Sequence, residues 1–154
     1  MVKVKIGNIL NCEEDIIVHQ VNVQGIMGGG VARQLADRFK YLEENYSLYC
    51  KDWGNSYSNL FGDVYFYISD KIIANMFSQE PNFNTDYESM KMALERIKGY
   101  AECHNLSIAI PYGIGCGIAN GEWNKVYKII EEVFSDYDVT LYKLEGKWTN
   151  LKIN

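Results

Sequence analysis

Residues 16–35, IIVHQVNVQGIMGGGVARQL, decide how this chain folds. An apolar run gives way to polar side chains at His19 and Asn22, three consecutive glycines follow at positions 28–30, and apolar residues then recur at helical spacing from Val31. This order predicts a strand, a flexible loop and a helix. Glycines ahead of a helix leave bare backbone N–H groups at its N-terminus, where the helix dipole favours an anion.

A second stretch, residues 108–123 (IAIPYGIGCGIANGEW), repeats this design. An apolar strand leads into a loop with Gly113, Gly115, Gly117 and Gly121, and a helical pattern follows. Each glycine loses more conformational entropy on folding than alanine, which costs roughly 0.5–1 kcal/mol. Two such loops in a small domain are therefore hard to explain by packing alone. Neither loop is a Walker or G-x-G-x-x-G motif. Side by side, the two loops predict a site for the two phosphates of a nucleotide-like diphosphate.

The rest of the chain alternates between strand and helix patterns. Strands are predicted at 2–6, 16–21, 63–69, 71–77, 107–110 and 138–143, the pair at 63–77 being a hairpin or adjacent strands. Helices are predicted after the first glycines, at 41–53 with Gly54 as a stop, from a capping box Thr85-x-x-Glu88 to His104, and from Asn120 or Gly121. This pattern predicts an α/β fold: a three-layer α/β/α sandwich with a central mixed, mostly parallel sheet. Ligands of such sheets sit at the carboxyl ends of the strands, where both glycine loops lie.

Composition limits the classes of function. With 154 residues, 47% of them hydrophobic, we expect a single domain over 1–154. A net charge of −5 argues against binding to a nucleic-acid backbone. No apolar run approaches the roughly 20 residues that cross a bilayer. The four cysteines have neither C-x-x-C nor zinc spacing, and the first residues do not resemble a secretion signal. We therefore expect reduced thiols in a cytoplasmic protein, and a monomer.

Three side chains in the two loops are candidates for chemistry. His19 is the best acid/base candidate, since its unperturbed pKa lies near neutrality, although a buried structural histidine fits the same position. The amide of Asn22 suits the hydroxyls of a ribose, and an Asx turn is an equal alternative. Cys116 lies between glycines, but the sequence places no base beside it, so a small loop residue is favoured over a nucleophile.

Taken together, these residues resemble the macrodomain family, the ADP-ribose-binding α/β/α module, over most of the chain. Residues 7–10 (GNIL) are similar to the family's first-strand motif at the adenine, residues 19–32 (HQVNVQGIMGGGVA) to the loop around the distal ribose, and residues 113–118 (GIGCGI) to the loop around the diphosphate. The resemblance implies ligand binding by Asn8, Ile9, Gly28, Gly29, Gly30, Val31, Gly113, Ile114, Gly115, Cys116, Gly117 and Ile118. It leaves open whether Tyr142 or another aromatic residue stacks on the adenine.

Within the family, the run VHQVNVQGIMGGGVARQLADRF and the later residues 59–62 (NLFG) are most similar to the ADP-ribose-1″-phosphate phosphatase branch. That branch has a histidine where His19 stands. The resemblance therefore implies that His19 acts on the terminal phosphate as an acid/base or positioning group, with Asn22 on the distal ribose. The expected reaction hydrolyses ADP-ribose 1″-phosphate to ADP-ribose and phosphate, without a metal or other cofactor.

Two departures from the family matter. A sister branch that removes ADP-ribose from glutamate or from DNA bases has a lysine after its fourth strand and, in some members, an aspartate in the second loop. Gln79 and Ala119 stand at those places here, which argues against a lysine adduct. Asn8 also replaces the aspartate common at the adenine.

Two alternative functions remain. The protein is either a reader that binds ADP-ribose without turnover, or a hydrolase of O-acetyl or ester-linked ADP-ribose.

Overall fold

Six strands form one sheet through the middle of the protein, in a computed structural model that describes residues 1–53 and 57–146. The strands are β1 (Val2–Ile6), β2 (Ile16–Val21), β3 (Val64–Ile68), β4 (Ile72–Phe77), β5 (Ile108–Pro111) and β6 (Val139–Lys143). Their order across the sheet is β1-β6-β5-β2-β4-β3. Gly54, predicted to stop a helix, and residues 147–154 lie outside the described residues.

The sheet is mixed and mostly parallel, as predicted. Among the described strands, only β3 and β4, which form a hairpin at the sheet edge, pair in antiparallel fashion. The other neighbours, β1 with β6, β6 with β5, β5 with β2, and β2 with β4, run parallel. Strand β2 therefore lies inside the sheet, and its carboxyl end meets those of β5 and β4.

Helices cover both faces of the sheet. On one face lie α1 (Gly30–Arg38) and α2 (Leu42–Asp52), and on the other α3 (Tyr87–His104) and α4 (Trp123–Val133). Two short 3-10 turns, Ile9–Asn11 and Tyr57–Leu60, complete the elements. The arrangement confirms the predicted α/β/α sandwich. None of the described helices combines the length and the apolar character needed to cross a membrane.

Strand β2 shows why its sequence belongs at the centre. Ile16 and Val18 pack into the core under α3 and α4, whereas Ile17 and Val21 pack into the core under α1 and α2. The alternation follows from the period of two of a strand. Both faces are apolar because both are covered, as is usual for parallel sheets. Fully burying each of these side chains stabilises the fold by about 1.5–3 kcal/mol.

Two predicted helix starts are wrong. Helix α3 begins at Tyr87 and its N-cap is Asp86, whose carboxylate accepts from the Glu88 amide at 3.2 Å. Thr85 does not cap the helix because its hydroxyl donates instead to the Gly115 carbonyl, at 2.7 Å. The capping-box pattern was therefore one residue out of register.

Helix α4 begins at Trp123, after an N-cap at Glu122, rather than at Asn120 or Gly121. Asn120 has a left-handed φ of 54°, which is incompatible with a helical turn. The Gly121 amide donates to the Gly115 carbonyl at 2.7 Å. The second glycine loop thus extends to Glu122, further along the chain than the predicted helix start at Asn120 or Gly121 indicates.

Candidate functional site

A cavity of about 740 Å³ lies between the two glycine loops, at the carboxyl ends of the strands. This volume is typical of small-molecule sites. Among the residues predicted for the site, the walls contain Asn8, Ile9, His19, Asn22, Gly28, Gly29, Gly30, Val31, Gly113, Ile114, Gly115, Gly117 and Ile118. The fold therefore brings all of the predicted site residues except Cys116 to one cavity.

Helix α2 holds the first glycine loop in place. The Tyr46 hydroxyl donates to Asn22 Oδ1 at 2.7 Å, the Ser47 hydroxyl donates to the Gly25 carbonyl, and the Met27 amide donates to Glu43 at 2.8 Å. Three side chains on successive positions of one helix face thus fix the loop. The sequence pattern of α2 identified its apolar stripe but did not show this function.

The first loop leads into α1 with open backbone amides. The N-cap, Gly29, has no side chain to bond the first-turn N–H groups, and Gly30 has a φ of 59° that glycine adopts at little cost. The first four N–H groups of a helix lack intrahelical partners. The amides at the start of α1 therefore remain open donors on the cavity wall, as the three glycines predicted.

The second loop is fastened to the sheet through Thr85. Its hydroxyl donates to the Gly115 carbonyl and accepts from Gln20 Nε2 at 3.1 Å, and its amide donates to the Ala119 carbonyl at 2.8 Å. Gln20 lies on β2 and also donates to Ser78. This network joins the end of β2, the segment after β4 and the loop after β5.

Packing explains part of the glycine content of the second loop. A Cβ on Gly121 would lie 2.4 Å from the Gly115 carbonyl oxygen. One on Gly115, whose φ is 75°, would lie 2.9 Å from Met90 and 3.0 Å from Thr85 Oγ1. Glycine at 121 is thus required by close approach within the loop, and glycine at 115 by its positive φ and the neighbouring Thr85 hydroxyl, independently of any ligand. Within the described ranges, the amides of Gly115 and Gly117 have no bonding partner and are available to an anion.

The amide of Asn22 is largely used by the protein. Its Oδ1 accepts from the Gln24 amide at 3.0 Å and from Tyr46, and its Nδ2 donates to the Ile26 carbonyl at 2.9 Å. This is the Asx turn that the sequence left as an alternative. Because Nδ2 has two hydrogens, one N–H is left for a ligand on the cavity wall.

His19 lies on β2, is 2% exposed, and lines the cavity. Its Nε2 lies 2.6 Å from Asn75 Oδ1. Burial lowers the pKa of His19 to about 4, because the charged imidazolium loses its hydration, and the Asn75 bond offsets this only in part. The ring is therefore neutral at pH 7. A proton donor at this position, which the sequence allowed, does not fit this protonation state.

Cys116 does not lie on the cavity wall. Its amide donates to the Gly113 carbonyl at 3.0 Å, and its side chain packs against the core under α3 and α4. Burial raises the pKa of its thiol to about 12, so the thiolate that would act as a nucleophile is scarce at pH 7. This matches the interpretation as a small loop residue and places the thiol away from a ligand.

Within the part of the chain that the structure describes, no charged side chain lines the cavity. Its polar side chains are neutral, among them Asn8, Gln24, Gln34 and Gln79. Gln79 is nearly buried, with Nε2 3.4 Å from the Phe83 carbonyl, and Ala119 is 4% exposed. Backbone amides and neutral amide side chains are therefore what an anionic ligand meets here.

The opposite end of the cavity, beside β1 and β6, contains two aromatic rings. Tyr112 and Tyr142 are both on the wall, and the Tyr142 hydroxyl donates to the Glu14 carboxylate. Asn8 caps the 3-10 turn, with Oδ1 accepting from the Leu10 amide at 3.0 Å. This end offers flat apolar surface and the amide hydrogens of Asn8 to a ring.

The sequence did not assign a role in the site to three residues that organise it: Gln20, Asn75 and Thr85. Asn75 is fully buried in β4, and Gln20 lies beside His19 on β2. Each is a polar side chain within an apolar strand pattern, and this was the available signal, since a buried polar group requires a partner. Thr85 was noticed, but its pattern was assigned to a helix cap.

No family model matches the chain, but comparison with known proteins finds relatives in both sequence and structure. The chain is 28% identical to the ADP-ribose 1″-phosphate phosphatase of Saccharomyces cerevisiae, over 90% of this chain and 96% of that protein. It is also 28% identical to the ADP-ribose glycohydrolase OARD1 of Bos taurus, over 90% of this chain and 88% of that protein. Among solved structures, the macrodomain of Mycobacterium tuberculosis DarG superposes with a TM-score of 0.77 at 22% identity, over 92% of this chain and 97% of that one. The similarity to the DarG macrodomain shows that the two chains share a fold.

Proposed function

We propose that this chain, a macrodomain by its fold and its sequence relatives, binds ADP-ribose derivatives in the cavity between its glycine loops. We propose further that it hydrolyses ADP-ribose 1″-phosphate to ADP-ribose and inorganic phosphate. The observation that carries this proposal is the convergence of both loops and His19 on one cavity of nucleotide size. The similarity to a yeast phosphatase of this substrate, over nearly the full length of both chains, supports it.

The backbone supplies the binding of phosphate in this proposal. Open amides at the start of α1 and in the second loop donate to phosphate oxygens, and they carry no side-chain charge that must be desolvated. Donors fixed in advance also stabilise the charge that develops on phosphoryl oxygens in the transition state. The contacts from α2 and Thr85 hold these donors in position before the ligand binds.

His19 orients the attacking water in this mechanism. Its neutral ring accepts a hydrogen bond from the water, whose oxygen attacks phosphorus while the bond from phosphorus to the 1″ oxygen breaks. The products are ADP-ribose, whose 1″ oxygen takes a proton from solvent, and inorganic phosphate, which releases one proton of the attacking water to solvent. A route through a lysine adduct is disfavoured, because Gln79 and Ala119 occupy the wall and no lysine of the described residues lines it.

A phosphorus NMR time course tests this proposal. Purified protein incubated with ADP-ribose 1″-phosphate should release inorganic phosphate. The His19→Ala variant should bind this substrate but release no phosphate from it. The rate should be unchanged by EDTA, because the mechanism uses no metal. Two outcomes would contradict the phosphatase assignment. In one, the phosphorus resonances of the substrate shift on binding but no free phosphate appears after hours; in the other, the His19→Ala variant releases phosphate as fast as the wild type.

A second candidate is hydrolysis of ester-linked ADP-ribose, and the neutral wall favours it. A terminal phosphate dianion meets no cationic side chain among the described wall residues, whereas an ester requires none. A proton NMR time course with O-acetyl-ADP-ribose distinguishes the two. Release of acetate from this ester, with no release of phosphate from ADP-ribose 1″-phosphate, selects the ester. Binding of ADP-ribose without either product would identify a reader.

A further inference from the structure

Asn75 is a buried amide that joins three neighbouring strands. It is fully buried on β4, where it faces His19 of β2 and Tyr65 of β3 in the strand register. Its Nδ2 donates to the Tyr65 carbonyl at 2.8 Å and to the Ile73 carbonyl at 3.2 Å. Both amide hydrogens are therefore used on backbone oxygens, and this fixes which side of the amide faces the histidine.

The orientation of Asn75 determines the tautomer of His19. The atom that meets His19 Nε2 at 2.6 Å is Oδ1, which only accepts hydrogen bonds. Nε2 must consequently carry the proton, and in a neutral ring Nδ1 then holds a lone pair. Nδ1 is buried and has no partner among the described residues, although the ring lies on the cavity wall. A buried acceptor without a partner is costly, so this atom is poised for a donor.

We infer that Asn75 is a positioning residue that locks His19 in its Nε2–H form, so that Nδ1 accepts a hydrogen bond from an O–H group at the distal end of the ligand. The O–H group belongs to a sugar hydroxyl or to a water held beside it. A phosphate oxygen does not suit this atom, because a lone pair repels an anion. The inference rests on the proposed function for the identity of the ligand, whereas the tautomer rests on the protein contacts alone.

The chemistry of this arrangement divides the cavity in two. Phosphate groups belong against the backbone amides of the glycine loops, and hydroxyl donors belong against His19. The histidine thereby selects a neutral donor close to the reacting end of the ligand. Asn75 acts only through His19, since its own amide has no polar atom left for the ligand.

Nitrogen NMR of protein labelled with 15N-histidine tests the inference on the wild type. The chain has two histidines, and His19→Gln assigns the signals of the buried one. Long-range proton–nitrogen spectra should show the proton on Nε2 alone. With ADP-ribose as the probe, a Nδ1 resonance that moves to lower frequency only in the complex identifies a sugar hydroxyl, and a low frequency in both states identifies water. A proton on Nδ1, a mixture of tautomers, or a Nδ1 free of hydrogen bonding in both states would overturn the inference.

The variant Asn75→Leu removes the constraint while keeping the branching at Cγ and the number of side-chain heavy atoms. Mixed tautomers should appear in its spectrum, and kcat for phosphate release should fall by roughly tenfold or more with a smaller change in KM, since the ring no longer presents a fixed lone pair. Ser107→Ala is the control: it removes the hydrogen bonds of the Ser107 hydroxyl with the carboxylate and the amide of Asp15, at the amino ends of β2 and β5. It should change neither the tautomer of His19 nor kcat. A wild-type Nε2–H tautomer with no phosphate release would refute the phosphatase alone. A single Nε2–H tautomer retained in Asn75→Leu would refute the assignment to Asn75.

Discussion

His19 is a titratable side chain that the sheet keeps neutral. The ring is 2% exposed, and its one partner among the described residues, Asn75, accepts a hydrogen bond without adding charge. A carboxylate in the place of Asn75 would stabilise the imidazolium, whereas the amide does so only weakly. The residue suited to general acid catalysis by its ordinary pKa is thus converted by its surroundings into a hydrogen-bond acceptor.

This burial predicts a dependence of stability on pH. The His19 pKa is 6.5 when unperturbed and about 4 in the folded protein. Between these values the unfolded chain binds more protons, so the free energy of unfolding falls as the pH falls. The contribution is complete above the unfolded pKa and is lost by about pH 4, with a size of about 3 kcal/mol. Urea unfolding at a series of pH values measures it.

Two variants isolate the contribution of His19 from the carboxylates that titrate in the same range. His19→Gln has no group to protonate at this position and should lose this part of the pH dependence. His104→Gln removes an exposed histidine at the end of α3 and should retain it. Equal slopes for wild type and His19→Gln between these pH values would show that His19 is not held neutral by burial.

At the scale of elements, the two glycine loops differ in what their glycines do. In the first loop, a Cβ added to Gly28 or Gly29 would make only ordinary contacts with methyl groups of Ile26 and Ile118. Bare amides at the start of α1 are therefore the main consequence of these glycines. In the second loop, Gly121 is required by its contact with the Gly115 carbonyl, and Gly115 by its positive φ and the neighbouring Thr85 hydroxyl. The same composition thus reflects access for a ligand in one loop and packing in the other.

Alanine at Gly121 should destabilise the protein and distort the second loop. Its Cβ would lie 2.4 Å from a backbone oxygen that cannot move independently, and overpacking of this kind costs roughly 1–3 kcal/mol. Gly99→Ala is the matched control. Gly99 lies exposed within α3, and an added Cβ would have nothing within 4 Å of it. Alanine there should raise the free energy of unfolding by about 0.5–1 kcal/mol. Thermal unfolding measures both, and a Gly121→Ala protein as stable as wild type would contradict this packing.

Thr85→Val should weaken ligand binding as well as stability. The substitution preserves shape but removes the hydroxyl that joins Gln20 to the Gly115 carbonyl. Loss of this contact, at about 1 kcal/mol, corresponds to a Kd for ADP-ribose raised by roughly fivefold. Thr85→Ser keeps the hydroxyl and should bind nearly as wild type in calorimetric titrations. Unchanged affinity in Thr85→Val would mean that the hydroxyl does not position the loop.

At the scale of the whole molecule, the sequence predicted the layers well. The continuous apolar run of β2 and the alternation of strands with amphipathic helices were sufficient to place β2 inside a covered, mostly parallel sheet. Most of the predicted wall residues followed, because loops after parallel strands meet at one edge. These features depend on periodicity and on strand direction, and both can be read along the chain.

The remainder depends on contacts between distant residues. Thr85 bonds a loop that lies thirty residues further along the chain, so a local pattern assigned it to the wrong role. The partnership of His19 with Asn75 crosses from β2 to β4. The side-chain direction of Cys116 depends on turns within its loop, and spacing alone does not determine it. Long-range pairing therefore decided the protonation and positioning within the site.

The most direct test of this account is a map of backbone amides on binding of ADP-ribose. In 15N-labelled protein, saturating ADP-ribose should shift the amides of Gly28–Gly30 and Gly113–Gly117 most strongly, together with residues near Asn8 and Tyr142. The amides at the amino ends of the strands, near Asp15 and Ser107, should move little. Shifts that avoid both glycine loops, or no shifts at millimolar ligand, would contradict the central claim that these loops form an ADP-ribose site.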